Sequence, residues 1–379
     1  MLFQFVSSLK NVFVLAVLLN SQLISSQNTK CNGYSELCDR PYSSIAFPTT
    51  HNSFAYDPNN IASNQNKPIT NQLDDGVRAF MLDLHKPVSA SSLQAALSSN
   101  SNKRQQELPV ANIEMCHNTC LLLDTGSFVK TLALFKTYLD ANKSEVITLI
   151  LENYDNFASS EIYSNFQNAG LADYLFNPNS FSNIASNSVW PTLNQIISSG
   201  KRLVVFSSAI NDATNYPQII GQSSYISQTS FEVASSLTSP QTPPNFSCVI
   251  TPSPKKSLVI LNHFVFVNRL IGTVTYEVPN ANASAYVNTL ESTISHSSLC
   301  SSLSIFANFI AFDFYDVGDL FKAVASINNL TFAQHTTNTF PQSASTDKTA
   351  NSASPRSFTS NSTLCFFALL LTTLSILSL

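Results

Sequence analysis

Six histidines are spread along this 379-residue chain, and two of them stand where strand-like runs give out. His51 follows the β-prone start of "FPTTHNSFAY", and His117 sits inside "MCHNTC". Read alone, "TTHNS" fits a satisfied loop histidine. Other polar residues change that reading, because they too fall at the ends of apolar runs. Asp83 and His85 close "VRAFMLDLH", Glu152 and Asn153 close "EVITLILEN", Asn262 and His263 fall in "SLVILNHF", and Asp313 falls in "NFIAFDFY". Each buried polar group must find a partner, so this many at strand ends are costly as core filling. Imidazoles beside carboxylates supply acid–base chemistry: one ring takes a hydroxyl proton, the other protonates a leaving oxygen. Cleavage of a phosphodiester fits that pairing.

The elements that must gather these residues are short β-rich runs alternating with helical patterns. The strand candidates are "SSIAF", "VRAFMLDL", "ANIEMC", "EVITLILEN", "KRLVVFSS", "SLVILNHF" and "NFIAFDFY". Several are nearly continuous apolar runs, as expected for parallel strands buried on both faces. Helical patterns include "SFVKTLALFKTYLDANKSE", "WPTLNQIISSGK", "ASAYVNTLESTISHSS" and "GDLFKAVASINN", the last expected to start after Asp316. Repeated βα units predict a single-domain α/β fold, either a (β/α)₈ TIM-type barrel or an open doubly wound sheet. Only eight glycines occur and no G-x-G-x-x-G follows a strand, which argues against a dinucleotide fold. In a barrel the C-terminal strand ends share one face, and that face carries the chemistry. Gln218 to Pro254, rich in Ser, Thr, Gln and Pro, reads as a long excursion from the barrel.

Both ends carry processing signals. Residues 1–26 have the layout of a secretory signal peptide: Lys10, an apolar run Val12–Leu19, then Ser25 and Ser26. The barrel is expected over 27–334 and a disordered Ser/Thr-rich stalk over 335–353. The remainder, 354–379, reads as a removed glycosylphosphatidylinositol (GPI) signal, with lipid attached near Asn351; a tail-anchored helix is the alternative. The expected location is the extracellular face of the plasma membrane. Four N-x-S/T sequons fall in the expected mature region, at Asn142, Asn245, Asn282 and Asn329, and suit a cell-surface glycoprotein. A net charge of −4 and no Lys/Arg-rich run leave nothing that points to nucleic acid.

Cys365 falls in the tail. The other six cysteines, an even number in a secreted chain, predict disulfides. Proximity suggests Cys31–Cys38, Cys116–Cys120 and Cys248–Cys300, one of several possible pairings. Zinc is the rival reading, although the paired C-x₂-C spacing is missing.

Five segments, "CNGYSELCDRPYSSIAFPTTHNSFAY", "NQLDDGVRAFMLDLH", "MCHNTC", "DANKSEVITLILENY" and "FIAFDFYDVGD", occur in an order that resembles the secreted PLC-like phosphodiesterases. Those proteins lie in the superfamily of phosphatidylinositol-specific phospholipase C X domains. The resemblance spans about Cys31 to Leu330. It implies a distorted or incomplete (β/α)₈ barrel in which the inositol 2-hydroxyl attacks the adjacent phosphate, releasing diacylglycerol and leaving a cyclic inositol phosphate. By the same resemblance, His51 assists deprotonation, His117 is the general acid, and Asp313 orients His51. Arg78 matches a barrel arginine, to be read as a phosphate contact or as an ion pair with Asp74 or Asp75.

The departures concern charge and metal. Bacterial members place an arginine where Asp83 stands. Intracellular eukaryotic members place calcium ligands at positions matching Asn52, Met81, Asp83 and Glu152. Met81 is a poor ligand for a hard cation, but Asn52, Asp83 and Glu152 with substrate phosphate and water could hold Ca²⁺. The substrate-binding candidates are Asn52, Arg78, His85, Asn262, His263 and Tyr315. His85 could equally serve its loop, His263 a structural hydrogen bond, and Tyr315 packing in place of stacking on a sugar. His296 and His335 read as surface residues. The leading expectation is a cell-surface phosphodiesterase acting on phospholipid. A barrel that has lost turnover and binds lipid or glycan is the alternative, and a structural wall glycoprotein leaves the strand-end cluster unexplained.

Overall fold

The computed structural model describes residues 30–341 apart from 89–112, 182–183, 185–188, 236–243 and 272. The expected leader and GPI signal, and the stalk beyond Pro341, lie outside the described residues. Eight strands run parallel: β1 (Phe47–Thr50), β2 (Ala79–His85), β3 (Ile147–Asn153), β4 (Leu203–Ser207), β5 (Ile219–Gly221), β6 (Ile226–Thr229), β7 (Leu258–Asn262) and β8 (Phe309–Phe312). Their order across the sheet is β5-β4-β3-β2-β1-β8-β7-β6, with β1 paired to both β2 and β8. The strands therefore follow chain order around a barrel, and the ring is open at one seam, between β5 and β6. This is a (β/α)₈ architecture, one of the two that the alternation of runs allows, with the distortion that the resemblance implies.

Helices connect and flank the strands. They are α1 (Ile69–Asp75), α2 (Phe128–Ala141), α3 (Ser159–Asn168), α4 (Leu193–Ser198), α5 (Gln222–Tyr225), α6 (Ala281–Val287), α7 (Leu290–Ser302) and α8 (Leu320–Ile327). The apolar stripe Phe128, Leu132, Phe135 and Leu139 buries one face of α2 against the outside of the sheet, with Phe80, Leu82 and Leu149. On the inside, Phe47, Ala79, Met81, Ile150, Phe206 and Ile260 form a second core capped by Tyr42 and Trp190. Residues alternate between these two cores with the period of a strand, so each strand's inward phase is fixed.

Several expectations need correction. Gln218–Pro254 is no excursion: it supplies β5, β6 and the antiparallel edge Ile250–Thr251 at the open seam. Its strands are short, three and four residues, too brief to show a period against a Ser-rich background. The first strand starts at Phe47, later than "SSIAF", because Tyr42–Ser44 form a 3₁₀ turn. "ASAYVNTLESTISHSS" is two helices, broken where Thr289 caps the second. α8 starts after Asp319, not after Asp316. His335 is no entry to a stalk: its Nε2 meets Glu145 at 3.2 Å, and Thr337, Thr339 and Phe340 all hydrogen-bond to Asp74. The three disulfides pair as proximity suggests, which removes those thiolates from the zinc alternative.

Candidate active site

Extending the inward phase of the strands past their C-terminal ends selects the polar cluster. Phe47 leads to His51, Met81 to Asp83, Ile150 to Glu152, Ile260 to Asn262 and Ala311 to Asp313, each an even step along its strand. After three of the site residues the chain turns through a left-handed conformation: Asn52 has φ 41°, Asn118 φ 60° and Phe314 φ 50°. Asn tolerates that region; Phe does not, and strain of this kind collects at functional positions.

His51 is held on three sides. Its Nδ1 lies 2.9 Å from Asp313 Oδ1, its ring stacks on Phe264 with centroids 3.8 Å apart and planes 3° apart, and Gln65 Nε2 donates to its carbonyl at 2.7 Å. A carboxylate only accepts, so Nδ1 carries the proton and Nε2 is left to accept one. Asn64 Nδ2 donates to the same Asp313 oxygen at 2.8 Å.

His117 comes from a different device. Glu114–His117 and Leu123–Ser127 form an antiparallel ribbon off β2, and the Cys116–Cys120 disulfide closes the loop between them. Asn118 Nδ2 donates to Glu277 O at 3.1 Å and ties that loop to the hairpin of Phe266–Ile271 and Val274–Pro279. His117 Nδ1 lies 2.6 Å from the Ala62 carbonyl, so again Nδ1 donates and Nε2 is free. Burial pushes its pKa down to about 4; the Ala62 bond and Asp313 act the other way, while the His51 and His85 charges add to the depression. The two imidazoles thus sense each other across the same end of the barrel.

Asp83 and Glu152 are in register on β2 and β3. Burial raises the Asp83 pKa well above the usual carboxylate range and Glu152 raises it further. Burial also raises Glu152, against the pull of His51 and of hydrogen bonds from Ser208 and Gln222. Asn52 faces Asp83: with its nitrogen turned there it donates to both carboxylate oxygens at 3.1 and 3.3 Å. With its oxygen turned there, an amide oxygen faces Asp83, whose register partner is Glu152, and among the described residues neither carboxylate forms an ion pair with Lys or Arg. Three hard oxygen donors with uncompensated charge fit a divalent cation such as Ca²⁺. Met81, on the inner face one step below Asp83, offers only a thioether.

Not every expected residue joins the site. Arg78 precedes β2, at the opposite end of the barrel, and is 2% exposed. Its Nε donates to Glu145 Oε2 at 2.6 Å and its Nη1 to the carbonyls of Leu73 and Val77, so neither phosphate nor Asp74 or Asp75 is its partner. His263 falls in the outward phase with Val259 and Leu261; it is buried, with Nδ1 3.1 Å from His296 Nδ1 and Nε2 2.9 Å from Val287 O. His296, expected on the surface, is the buried other half of that pair. Tyr315 also faces outward: its hydroxyl donates to Asp75 Oδ2 at 2.7 Å and its ring packs edge-on against Phe321. Asn262 is inward, in register with Ala311, and its Nδ2 donates to Thr229 O at 2.7 Å. His85 stacks on Tyr154 with Asp155 3.7 Å away, near enough for its charge to reach His117.

Asn64, Gln65, the Ala62 carbonyl and Phe264 were missed. The first three lie in "DPNNIASNQN", a polar run in which no spacing marks one amide from the next. Phe264 follows His263 just past β7, in an apolar run that does not show which face each residue takes.

Comparison with known proteins places this geometry. The family model described as PI-PLC X 1 matches residues 37–328. A PI-PLC X domain-containing protein 1 of Arthroderma benhamiae is 30% identical over 327 residues, covering 84% of this chain and 95% of that one. An uncharacterized secreted protein of the same fungus is 30% identical over 321 residues, 80% of this chain and 65% of its own. Among solved structures, phosphatidylinositol-specific phospholipase C of Staphylococcus aureus aligns at 14% identity over 78% of this chain and 96% of that one, TM-score 0.48. The enzyme of Listeria monocytogenes aligns at 15% over 77% and 94%, TM-score 0.43. Matched by the family model over residues 37–328, and by a relative of 30% identity over 84% of its length, the chain belongs to the PI-PLC X domain family.

Proposed function

We propose that this protein is a phosphodiesterase that cleaves inositol phospholipids or related phosphodiesters by histidine acid–base chemistry. The observation that carries the reading is the pair of imidazoles whose Nδ1 atoms are engaged, by Asp313 and by the Ala62 carbonyl, leaving both Nε2 atoms free. His51 Nε2 takes the proton of the attacking hydroxyl, and Asp313 stabilises the imidazolium that forms. The hydroxyl oxygen bonds to phosphorus, the bond to the leaving oxygen breaks, and His117 Nε2 gives that oxygen its proton. Hydrolysis of the cyclic product reverses the roles, with water as the proton source. Burial favours the neutral imidazole of His117, so the anionic phosphate must supply the charge that stabilises its protonated form.

Asn52, Asp83 and Glu152 would hold a divalent cation, which when bound supplies positive charge to the phosphate oxygens. Asn262 and His85 remain substrate-contact candidates on the inner face and at the rim. The expected leader and GPI signal support a place on the outer cell surface, and exposed Asn245, Asn282 and Asn329 support glycosylation there.

The test is a phosphodiesterase assay of the purified protein on phosphatidylinositol vesicles, with and without chelator. Turnover that vanishes in His51→Ala and His117→Ala supports the reading. A second reading, a binding protein without turnover, is favoured by one observation: the thioether of Met81 on the inner face beside Asp83. Wild-type protein that is inert with and without Ca²⁺, yet retains vesicle binding, would put that reading first.

A further inference from the structure

The two histidines come from different parts of the chain, yet one short segment between β1 and α1 touches both. Ala62 receives His117 Nδ1–H at 2.6 Å. Two residues on, Asn64 Nδ2 lies 2.8 Å from Asp313 Oδ1 and 3.3 Å from His51 Nδ1. Gln65 Nε2 then donates to the carbonyls of His51 at 2.7 Å and Phe312 at 3.0 Å. The segment is itself closed: Ser63 Oγ donates to Asp57 O at 2.6 Å, and the Asn64 and Gln65 amides both donate to Ala55 O. Asn60 Nδ2 reaches Leu122 O at 2.7 Å, beyond the disulfide loop that presents His117. Ala62, Asn64 and Gln65 are each at most 1% exposed.

We propose that the segment Asp57–Gln65 couples the acid and the base mechanically, and that Asn64 is a positioning residue acting on His51 through Asp313. The proposal rests on the acid–base reading above. Asp313 Oδ1 takes two donors, His51 Nδ1 and Asn64 Nδ2. The Asn64 bond fixes the carboxylate's rotation, so Asp313 holds the His51 ring in one orientation. The Phe314 amide donates to Asn64 O at 2.7 Å, so the same residue also braces the left-handed turn that follows Asp313. Because Ala62 is only two residues away in a closed, buried turn, a shift of Asn64 is transmitted to the acceptor that sets the His117 tautomer.

Asn64→Ala removes the second donor. Asp313 is freer to rotate, and His51 loses the partner that fixes its ring. The charged or titratable groups facing His51 are Asp313, Glu152 and His117; those facing His117 are His51, Asp313 and His85. None of these changes in the variant. The expected result is a kcat lower by roughly tenfold or more with KM little changed. Asn66→Ala, a neighbour bonded to Asp316 away from both rings, should leave both constants unchanged.

A second arm needs no turnover. In ¹⁵N-histidine NMR of the substrate-free protein, wild type should show Nδ1–H on both His51 and His117, and Asn64→Ala should perturb both rings. If wild type cleaves no phosphodiester, the functional reading fails and the NMR arm still decides the coupling. Ring signals unchanged in Asn64→Ala, or a loss of activity accounted for by a loss of Tm with kcat and KM of the folded protein intact, would overturn the proposal.

Discussion

Asp83 and Glu152 stand opposite one another on β2 and β3, one buried and one half-buried carboxylate that, among the described residues, pair with no guanidinium or ammonium. Such a pair must share a proton or share a cation. A bound divalent ion stabilises the folded state by mass action, by about 2.7 kcal/mol at a hundred times its Kd. Ca²⁺ should therefore raise Tm, EDTA should reverse the shift, and Asp83→Ala should abolish it. Should Ca²⁺ leave Tm unmoved while Asp83→Asn stabilises the protein, the pair holds a proton and no cation.

Removing either imidazole should remove most turnover. General acid and base groups each contribute about 10²–10⁴-fold, and groups that act as a unit are not additive. His51→Ala and His117→Ala should each fall in that range, and the double variant should be little worse. Thermal unfolding should separate the two cases, because His51 sits at the rim and His117 is buried against Ala62. A stable His51→Ala protein that cleaves phosphatidylinositol at the wild-type rate would end the acid–base reading.

Three buried histidines make the fold acid-sensitive. Burial pushes His117 and His296 down to about 4 and His263 down to about 3. Each binds a proton more weakly folded than unfolded, where the ordinary value of about 6.5 applies. Their stability contribution is therefore complete above that pH and is lost as pH falls through the folded values. For His117 the interval from 6.5 to about 4 corresponds to roughly 3 kcal/mol, at about 1.4 kcal/mol per unit. Scanning calorimetry should find Tm flat above pH 7 and falling most steeply between pH 6.5 and 4. His117→Gln, which can still donate to the Ala62 carbonyl without titrating, should make that fall shallower.

These results also mark what the sequence could reveal. Strand ends were legible because Asp83, Glu152 and Asp313 break otherwise apolar runs, and the same breaks located His51 and His117. The phase of those runs was not legible. Parallel strands buried on both faces show no alternation, so "LVILNHF" could not say that Asn262 turns inward and His263 outward. Tyr315 was hidden for another reason: it lies past the end of β8, where the left-handed turn at Phe314 breaks the strand phase. Arg78 failed differently: it opens its strand where the site residues close theirs, and its partner Glu145 is 67 residues away. The Asn64 contact with Asp313 spans 249 residues, and nothing local encodes it.

The last prediction concerns the support behind Asp313. Asn288 Nδ2 donates to the Asp313 carbonyl at 2.8 Å and to the Phe314 carbonyl at 3.2 Å, holding the strained turn that aims the carboxylate at His51. Gly318 is packed against the backbone of the same residue: a Cβ there would lie 2.2 Å from Asn288 O, and its φ of 96° is unfavourable for any side chain. The Asp319 amide bonds that oxygen at 2.8 Å, so the carbonyl cannot simply swing away. Gly318→Ala should cost roughly 2–4 kcal/mol, from overpacking and left-handed backbone together. It should also lower kcat, because Asn288 moves and Asp313 moves with it. Trimming the side chain does not relieve a clash with a main-chain oxygen, so adding Asn288→Ala to Gly318→Ala should not restore Tm. Restoration would mean that the obstacle is the amide side chain, and that the backbone of this turn yields more easily than its hydrogen bonds imply.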